Sequence, residues 1–271
     1  MIPRIIHYCW FGGAPLSEFA IKCIESWKRW CPDYEIKEWN ESNFDLNCCD
    51  YVKEAYQARK WAFVSDYARF AILYQYGGLY FDVDVEIIKS IDDIIDKGSF
   101  MGQENSSKIS VNPGLGLGAV SGLKLYKEIL DEYNKRHFFR EDGTYEQITI
   151  VTFVTNIMKK YGLKNAHNIQ VVDGIFIYPK EYFCPMSYAT GIMDITENTR
   201  SVHYYTASWH SEEERRHHAF GQKMSCIFGV KLGRKFEIMY GFSYQLKQKY
   251  KVLGLKGTVI FLLRRILRRN A

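Results

Sequence analysis

Within the first forty or so residues the apolar positions change period twice, and this change constrains the fold more than any other feature of the chain. Ile5-Ile6-His7-Tyr8-Cys9-Trp10 is a bulky, mostly apolar run closed by Gly12-Gly13, which reads as a buried strand. From Leu16 to Trp30 the apolar residues fall at 16, 19, 20, 23, 24, 27 and 30, the three-four spacing of a helix with one buried face, and Pro32 ends it. Tyr34 to Trp39 alternates as a second strand. A strand, a helix and a strand in so short a span form a βαβ unit, and such units build parallel sheets with right-handed crossovers. The fold class is therefore α/β, with the first strand expected in the sheet interior.

The next helix spans Ala62 to Tyr76 and ends at Gly77-Gly78, and a strand from Leu79 to Val85 follows at once. Weaker signals predict helices near 91–97, 123–135 and 145–161, strands near 170–172, 175–178 and 202–205, and a helical C-terminal region. The glycine-rich run Gly114-Leu115-Gly116-Leu117-Gly118 lacks a nucleotide-fingerprint spacing and reads as a loop or bulge. With 271 residues, 47% of them apolar and 16% aromatic, the chain can bury a full core. No run reaches the roughly 18 to 20 apolar residues of a membrane span, and Met1-Ile2-Pro3-Arg4 is unlike a signal peptide. The seven cysteines form no paired CxxC spacing, so reduced thiols in a cytoplasmic protein are expected. Residues 231 to 271 hold eleven Lys and Arg against Glu237, so a polycationic tail follows a mildly acidic body. That shift divides the chain into residues 1–230 and a basic tail, 231–271.

The chemistry concentrates in Leu79-Tyr80-Phe81-Asp82-Val83-Asp84-Val85. In a strand, residues two apart share a face, so Asp82 and Asp84 are expected to point the same way. Two neighbouring carboxylates on an apolar strand call for a counter-charge, and their oxygens suit a hard divalent ion, Mn²⁺ or Mg²⁺, of the kind that accompanies nucleotide phosphates. The competing reading is a solvated strand end. In an open α/β sheet, however, ligands bind beyond the carboxyl ends of the strands, where this pair would lie.

Here the residues begin to resemble a family. Ala62-Phe63-Val64-Ser65-Asp66-Tyr67-Ala68-Arg69, continuing through Tyr76-Gly77-Gly78-Leu79-Tyr80-Phe81-Asp82-Val83-Asp84, is similar to the DxD-containing region of the family 32 glycosyltransferases. That family includes capsular polysaccharide sugar transferases and yeast Och1-type mannosyltransferases, with clostridial glucosylating toxins as more distant relatives. The opening Ile2-Pro3-Arg4-Ile5-Ile6-His7-Tyr8-Cys9-Trp10-Phe11-Gly12 and the distant His203-Tyr204-Tyr205-Thr206-Ala207-Ser208-Trp209 resemble its first strand and its closing element. The three matches run in order over residues 1 to 210.

The resemblance implies a GT-A fold, a Rossmann-like nucleotide-sugar-binding architecture, here with a C-terminal helical extension. It also implies a nucleotide-sugar donor, a divalent metal and retention of anomeric configuration. Asp84, with Asp82 nearby, is expected to hold the metal, and His203 to join as a neutral imidazole; its alternative is a core histidine. Asp66 and Arg69, three apart on one helix face, are placed by the family pattern against the donor's sugar hydroxyls, the alternative being a surface ion pair. Tyr80 is expected near the ribose or sugar, Trp10 stacked on the base or else in the core, Asn112 near acceptor and donor sugar or else in a turn, and Ser208 with Trp209 at the diphosphate. His7, Glu146, His210 and the His217-His218 pair have no such support, the last reading as a solvated helix face.

Residues 257 to 269 interleave aliphatics with Arg264, Arg265, Arg268 and Arg269, which suits an amphipathic helix in an anionic membrane interface. Docking on the body is the alternative, and no nucleic acid is expected. Together these features predict a hexosyltransferase, cytoplasmic and peripheral at the inner face of the cell membrane. Its donor would be a UDP-sugar such as UDP-galactose, UDP-glucose or UDP-GlcNAc, and its acceptor a lipid-linked capsular or O-antigen-type glycan. A GDP-mannose-dependent mannosyltransferase, a toxin-like protein glycosyltransferase and an inactive nucleotide-sugar-binding module are the alternatives.

Overall fold

The computed structural model describes residues 1–104, 108–145, 148–206 and 212–267. Strand β1 (Ile5–Cys9), helix α1 (Glu18–Trp30) and strand β2 (Glu35–Trp39) form the expected βαβ unit, with β1 and β2 paired in parallel. Ser17 caps α1 by accepting the Ala20 N–H, and Ala20, Cys23, Ile24 and Trp27 form its buried face. Helix α2 (Asp50–Gln57) was not evident from the polar stretch that precedes it. Helix α3 (Trp61–Tyr76) follows, buried at Val64, Asp66, Tyr67, Ala68, Arg69, Phe70, Ile72 and Leu73. Gly77 and Gly78 then take φ of 67° and 101°, a reversal open chiefly to glycine, and deliver β3 (Gly78–Tyr80) alongside β1 in parallel.

The remaining elements of the body are β4 (Val85–Ile87), α4 (Asp92–Ile95), β5 (Phe100–Gly102), β6 (Leu117–Ala119), α5 (Lys124–Tyr133), α6 (Ile150–Lys160), β7 (Gln170–Val172), β8 (Ile175–Tyr178), α7 (Lys180–Phe183) and β9 (Ser201–His203). Seven strands form one sheet in the order β2-β1-β3-β6-β5-β8-β7, and β4 pairs with β9 in a separate two-stranded ladder. The sheet is α/β as expected but mixed, since β6 runs antiparallel to both β3 and β5, and β7 antiparallel to β8. Side chains alternate between two cores: Tyr80, Met101, Leu117 and Ile177 face one built with α2, α3, α5 and α6, while Ile6, Leu79, Phe100 and Tyr178 face one built with α1, α4 and α7. The interior placement of β1 is borne out.

Two expectations about local structure are corrected. The strand expected over 79–85 ends at Tyr80: the Phe81 and Asp82 N–H groups still bond His7 and Gly114 carbonyls, but Val85 N–H then closes a turn onto the Asp82 carbonyl at 3.0 Å. A turn, and not the pleat of a strand, therefore sets Asp82 against Asp84. The glycine run expected as a loop contains β6, where Gly118 leaves room for the Phe100 ring; a Cβ there would lie 2.1 Å from its Cε1.

Contacts divide the chain into a body of Met1–Ser187 with Met193–Trp209, and a second unit of Tyr188–Ile192 with His210–Ala271. In the second unit α8 (Glu212–Phe228) and α9 (Val230–Leu267) pack as a hairpin turned at Gly229. Gly233 lies against Ser225, and a non-helical Gly254 (φ 63°) breaks α9. Lys231, where the charge shifts, lies in the first turn of α9. The His217-His218 pair is not a solvated face, because His218 stacks on Tyr188 at 4.2 Å and His217 lies edge-on to Tyr240 and Tyr244. The helix expected over the basic tail is present to Leu267, while Arg268 and Arg269 lie outside the described residues, as does Glu146. No helix among the described residues is long and apolar enough to cross a membrane. All seven cysteines are free.

His7 is fully buried in β1. The Trp39 indole N–H donates to its Nδ1 at 3.0 Å, so Nε2 carries the proton and donates to the Gly77 carbonyl at 3.0 Å. Protonation would break the first bond in a dry site; burial, helped by the Lys37 charge, pushes the imidazole down to about 4. The neutral form is therefore favoured by folding, a contribution complete above the unfolded value near 6.5 and lost as pH falls toward about 4. About 3 kcal/mol of unfolding free energy should disappear over that interval through this group. Denaturant unfolding at several pH values should show a shallower decline in His7→Gln than in the wild type; parallel curves would refute the assignment.

Candidate active site

The site forms where β1 and β3, parallel neighbours, leave the sheet at the same edge. α3 presents Asp66 and Arg69 one turn apart, both buried rather than on the surface. The Arg69 guanidinium lies 2.9 Å from Asp66 Oδ1 and 3.3 Å from Asp82 Oδ1, donates through Nε to the Ser65 carbonyl at 3.1 Å, and stacks 4.9 Å from the Tyr80 ring centroid. Tyr80 donates its hydroxyl to Asp82 Oδ1 at 3.0 Å. Burial pushes Asp66 up to about 7, with the Asp82 charge adding to it and Arg69 opposing.

Asp84 sits beyond the turn in a different environment. Its Oδ1 lies 3.1 Å from His203 Nε2, while Oδ2 accepts from the Thr206 backbone N–H at 2.8 Å and the Thr206 hydroxyl at 2.9 Å. Burial disfavours its charge, but the imidazole and the Thr206 donors outweigh that and hold the carboxyl well below the usual range. For His203, burial opposes protonation and the Asp84 charge prevails, raising it. Its Nδ1 is buried with no hydrogen-bond partner among the described residues.

Asp82, Asp84 and His203 each offer a ligand atom, all within 4.8 Å of one another. Two carboxylates and one imidazole fit a divalent ion on the hard side of borderline, Mn²⁺ well and Mg²⁺ through the carboxylates. The three residues expected at a metal are thus brought together. Asp66, Arg69 and Tyr80 join them through Arg69 and Asp82.

Asn112 is buried behind the acids, its Oδ1 accepting the Gly114 N–H at 2.7 Å and its Nδ2 donating to Glu104 at 2.5 Å. Gly114 presses on Asp82 so closely that a Cβ would stand 2.2 Å from Asp82 Oδ2. Trp10 follows β1 directly, half-buried, with its indole N–H donated to the Ala14 carbonyl at 2.6 Å. Ser208 and Trp209 lie outside the described residues. Sequence reasoning passed over Thr206, Glu104 and Gly114. Thr206 stood inside the quoted closing element and Gly114 inside the glycine run, so both were within reach; Glu104 carried no local signal.

Residues 17–101 match the family described as the glycosyltransferase sugar-binding region containing a DXD motif, and Asp82-Val83-Asp84 supplies that motif. The chain therefore carries, over residues 17–101, a glycosyltransferase-type sugar-binding region with a DXD motif. An uncharacterised glycosyltransferase of Acanthamoeba polyphaga mimivirus is 25% identical over 192 residues, covering 66% of this chain and 74% of the relative. Inositol phosphoceramide mannosyltransferase 3 of Schizosaccharomyces pombe is 30% identical over 118 residues, 41% of this chain and 32% of that protein. Among solved structures, the PaToxG glycosyltransferase is similar with a TM-score of 0.46 at 17% identity, covering 59% of this chain and 69% of that one. The galactosyltransferase LgtC, in complex with donor and acceptor sugar analogues, is similar with a TM-score of 0.44 at 15% identity, covering 86% and 95%.

Arg69 is the only cation within reach of both Asp66 and Asp82 among the ion pairs of the described residues. Arg69→Ala would leave a buried carboxylate uncompensated, and such losses typically cost about 3 to 5 kcal/mol. Urea unfolding at pH 7 should show a loss of that order, and Arg69→Lys, which cannot span both acids, should recover only part of it; a loss below about 1 kcal/mol in Arg69→Ala would show that the pairing is not structural.

Proposed function

We propose that this glycosyltransferase, a GT-A enzyme in our reading, transfers a hexose with retention from a nucleoside diphosphate sugar to a lipid-linked capsular or O-antigen-type glycan. The convergence of Asp82, Asp84 and His203 within 4.8 Å at the carboxyl end of β3 carries this reading. Held by these three residues, Mn²⁺ or Mg²⁺ supplies charge neutralisation for a leaving diphosphate. Asp66 and Arg69 orient the donor sugar through its hydroxyls, and Tyr80 fixes the rotamer of Asp82 through its hydroxyl bond. Trp10 stacks on the nucleobase, and Ser208 and Trp209 contact the diphosphate. In a same-face substitution the leaving phosphate oxygen takes the acceptor's hydroxyl proton, so no side chain is assigned as base. The donor is a UDP-sugar in this reading; the aligned stretch shared with a named mannosyltransferase favours GDP-mannose as the second candidate.

Release of nucleoside diphosphate from a panel of UDP- and GDP-sugars, with Mn²⁺ and with EDTA, tests the proposal. Selective release from one donor is expected, abolished by EDTA and reduced at least about a hundredfold in Asp84→Asn, which removes a metal ligand's charge while keeping its shape. Full activity of Asp84→Asn or in EDTA would overturn the metal-dependent reading, and retention of donor without release would identify a binding module instead.

The placement at the inner face of the cell membrane draws support from the second unit. Ile227, Phe228, Val230 and Leu232 are 47 to 59% exposed around the turn of the hairpin, beside exposed Lys231, Arg234 and Lys235. Apolar side chains ringed by cations suit an anionic bilayer surface. Sedimentation with phosphatidylglycerol-containing vesicles should pull down the protein, with neutral phosphatidylcholine vesicles doing so at least tenfold less, and Ile227→Asp combined with Phe228→Asp should abolish the effect. Equal binding to both vesicles, or none, would refute it.

A further inference from the structure

Two arms of the chain build the acid and imidazole cluster: the segment after β3 brings Asp82 and Asp84, and β9 brings His203. Glu104 touches what supports each arm. Its own backbone is fixed beyond β5, where Gln103 bridges Val111 and the Glu104 N–H bonds the Ser110 carbonyl at 2.9 Å. Its carboxylate Oε2 accepts from Asn112 Nδ2 at 2.5 Å and from the Tyr205 hydroxyl at 3.4 Å.

On the first arm, the direction of the Asn112 amide is decided by Glu104, because an ionised carboxylate can only accept. Nδ2 must face Glu104, so Oδ1 faces the Gly114 N–H at 2.7 Å. Gly114 in turn holds Asp82 twice: its carbonyl accepts the Asp82 N–H at 3.3 Å, and its Cα abuts the Asp82 carboxylate with no space for a methyl group. On the second arm, Tyr205 has φ of 51°, a left-handed conformation uncommon for an aromatic residue. Its hydroxyl lies between Glu104 and Cys184 Sγ, the latter at 2.9 Å, and its ring meets the His203 imidazole edge-on with centroids 4.2 Å apart.

We propose that Glu104 is a positioning residue that ties the two arms together, through Asn112 and Gly114 to Asp82 and through Tyr205 to His203, and so sets the affinity of the cluster for a divalent cation. The inference rests on the reading of that cluster as a metal site. Groups that orient metal ligands without touching the ion typically change its affinity 10- to 100-fold when removed.

Mn²⁺ binding, followed by electron paramagnetic resonance on protein without donor, should weaken at least about tenfold in Glu104→Ala. Donor turnover at saturating Mn²⁺ should stay within about threefold of the wild type, since the carboxylate is assigned no contact with substrate. Glu104→Gln, whose amide oxygen still accepts from Asn112, should restore most of the affinity, and Tyr205→Phe should lose part of it through one arm. Unchanged Mn²⁺ affinity in Glu104→Ala, or equal loss in the Ala and Gln variants, would overturn the proposal. Amide hydrogen exchange at Gly114 and Asp82, read in metal-free protein, separates this from a failure of the metal reading. Faster exchange in Glu104→Ala with no Mn²⁺ binding by the wild type would leave the brace standing and remove the metal; unchanged exchange would remove the brace whatever the metal does.

Discussion

A guanidinium with 4% of its side chain exposed has to be paired, and Arg69 is paired with acids from two different elements. Much of the body follows from satisfying it. α3 must be buried on nearly all sides to keep the charge dry, which its apolar sequence allows. β3 must stop at Tyr80 so that Asp82 can turn toward Arg69 while the Tyr80 ring lies beneath the guanidinium at 4.9 Å. Gly77 and Gly78 reverse the chain between helix and strand, which keeps the two acids close in space although sixteen positions separate them in sequence.

The three carboxylates that result are electrostatically unequal. Asp66, deep and sharing Arg69 with another acid, is pushed up to about 7 by burial, whereas the donors around Asp84 hold it well below the ordinary range. Arg69 is spent between Asp66 and Asp82, and His203 is ion-paired with Asp84. The described site therefore carries more acid than base, an imbalance that a divalent cation relieves.

Legibility in the sequence followed the length and regularity of each element. The βαβ unit and α3 were readable because a helix of 13 or 16 residues repeats its period several times. β5 and β6 have three residues each, too few for any period, and β6 hides in a glycine run whose purpose, room for Phe100 and Asp82, exists only once the chain has folded. The side-chain types of Asp82, Asp84 and His203 announced a metal, yet the strand reading gave the wrong reason for their proximity. Asn112 was singled out as a residue near acceptor and donor sugar, with a turn as the alternative; its amide is committed to Gly114 and Glu104. Glu104 itself was invisible because its significance lies entirely in partners 8 and 101 positions away.

The family match ends at residue 101, so it contains two of the three clustered residues and not the third. His203 arrives through the short ladder in which β9 pairs with β4, Val85 opposite His203, while the Tyr204 N–H bonds the Asp84 carbonyl at 3.0 Å. Side chains alternate along a strand, so a slip of one residue in that register would turn the imidazole to the opposite face and replace it with Val202 or Tyr204. Three hydrophobic anchors resist the slip: Val85 and Ile87 are buried on one face of the ladder and Val202 on the other. The third member of the cluster is thus specified by the packing of a three-residue strand, and the geometry of the site depends on a register that no local motif records.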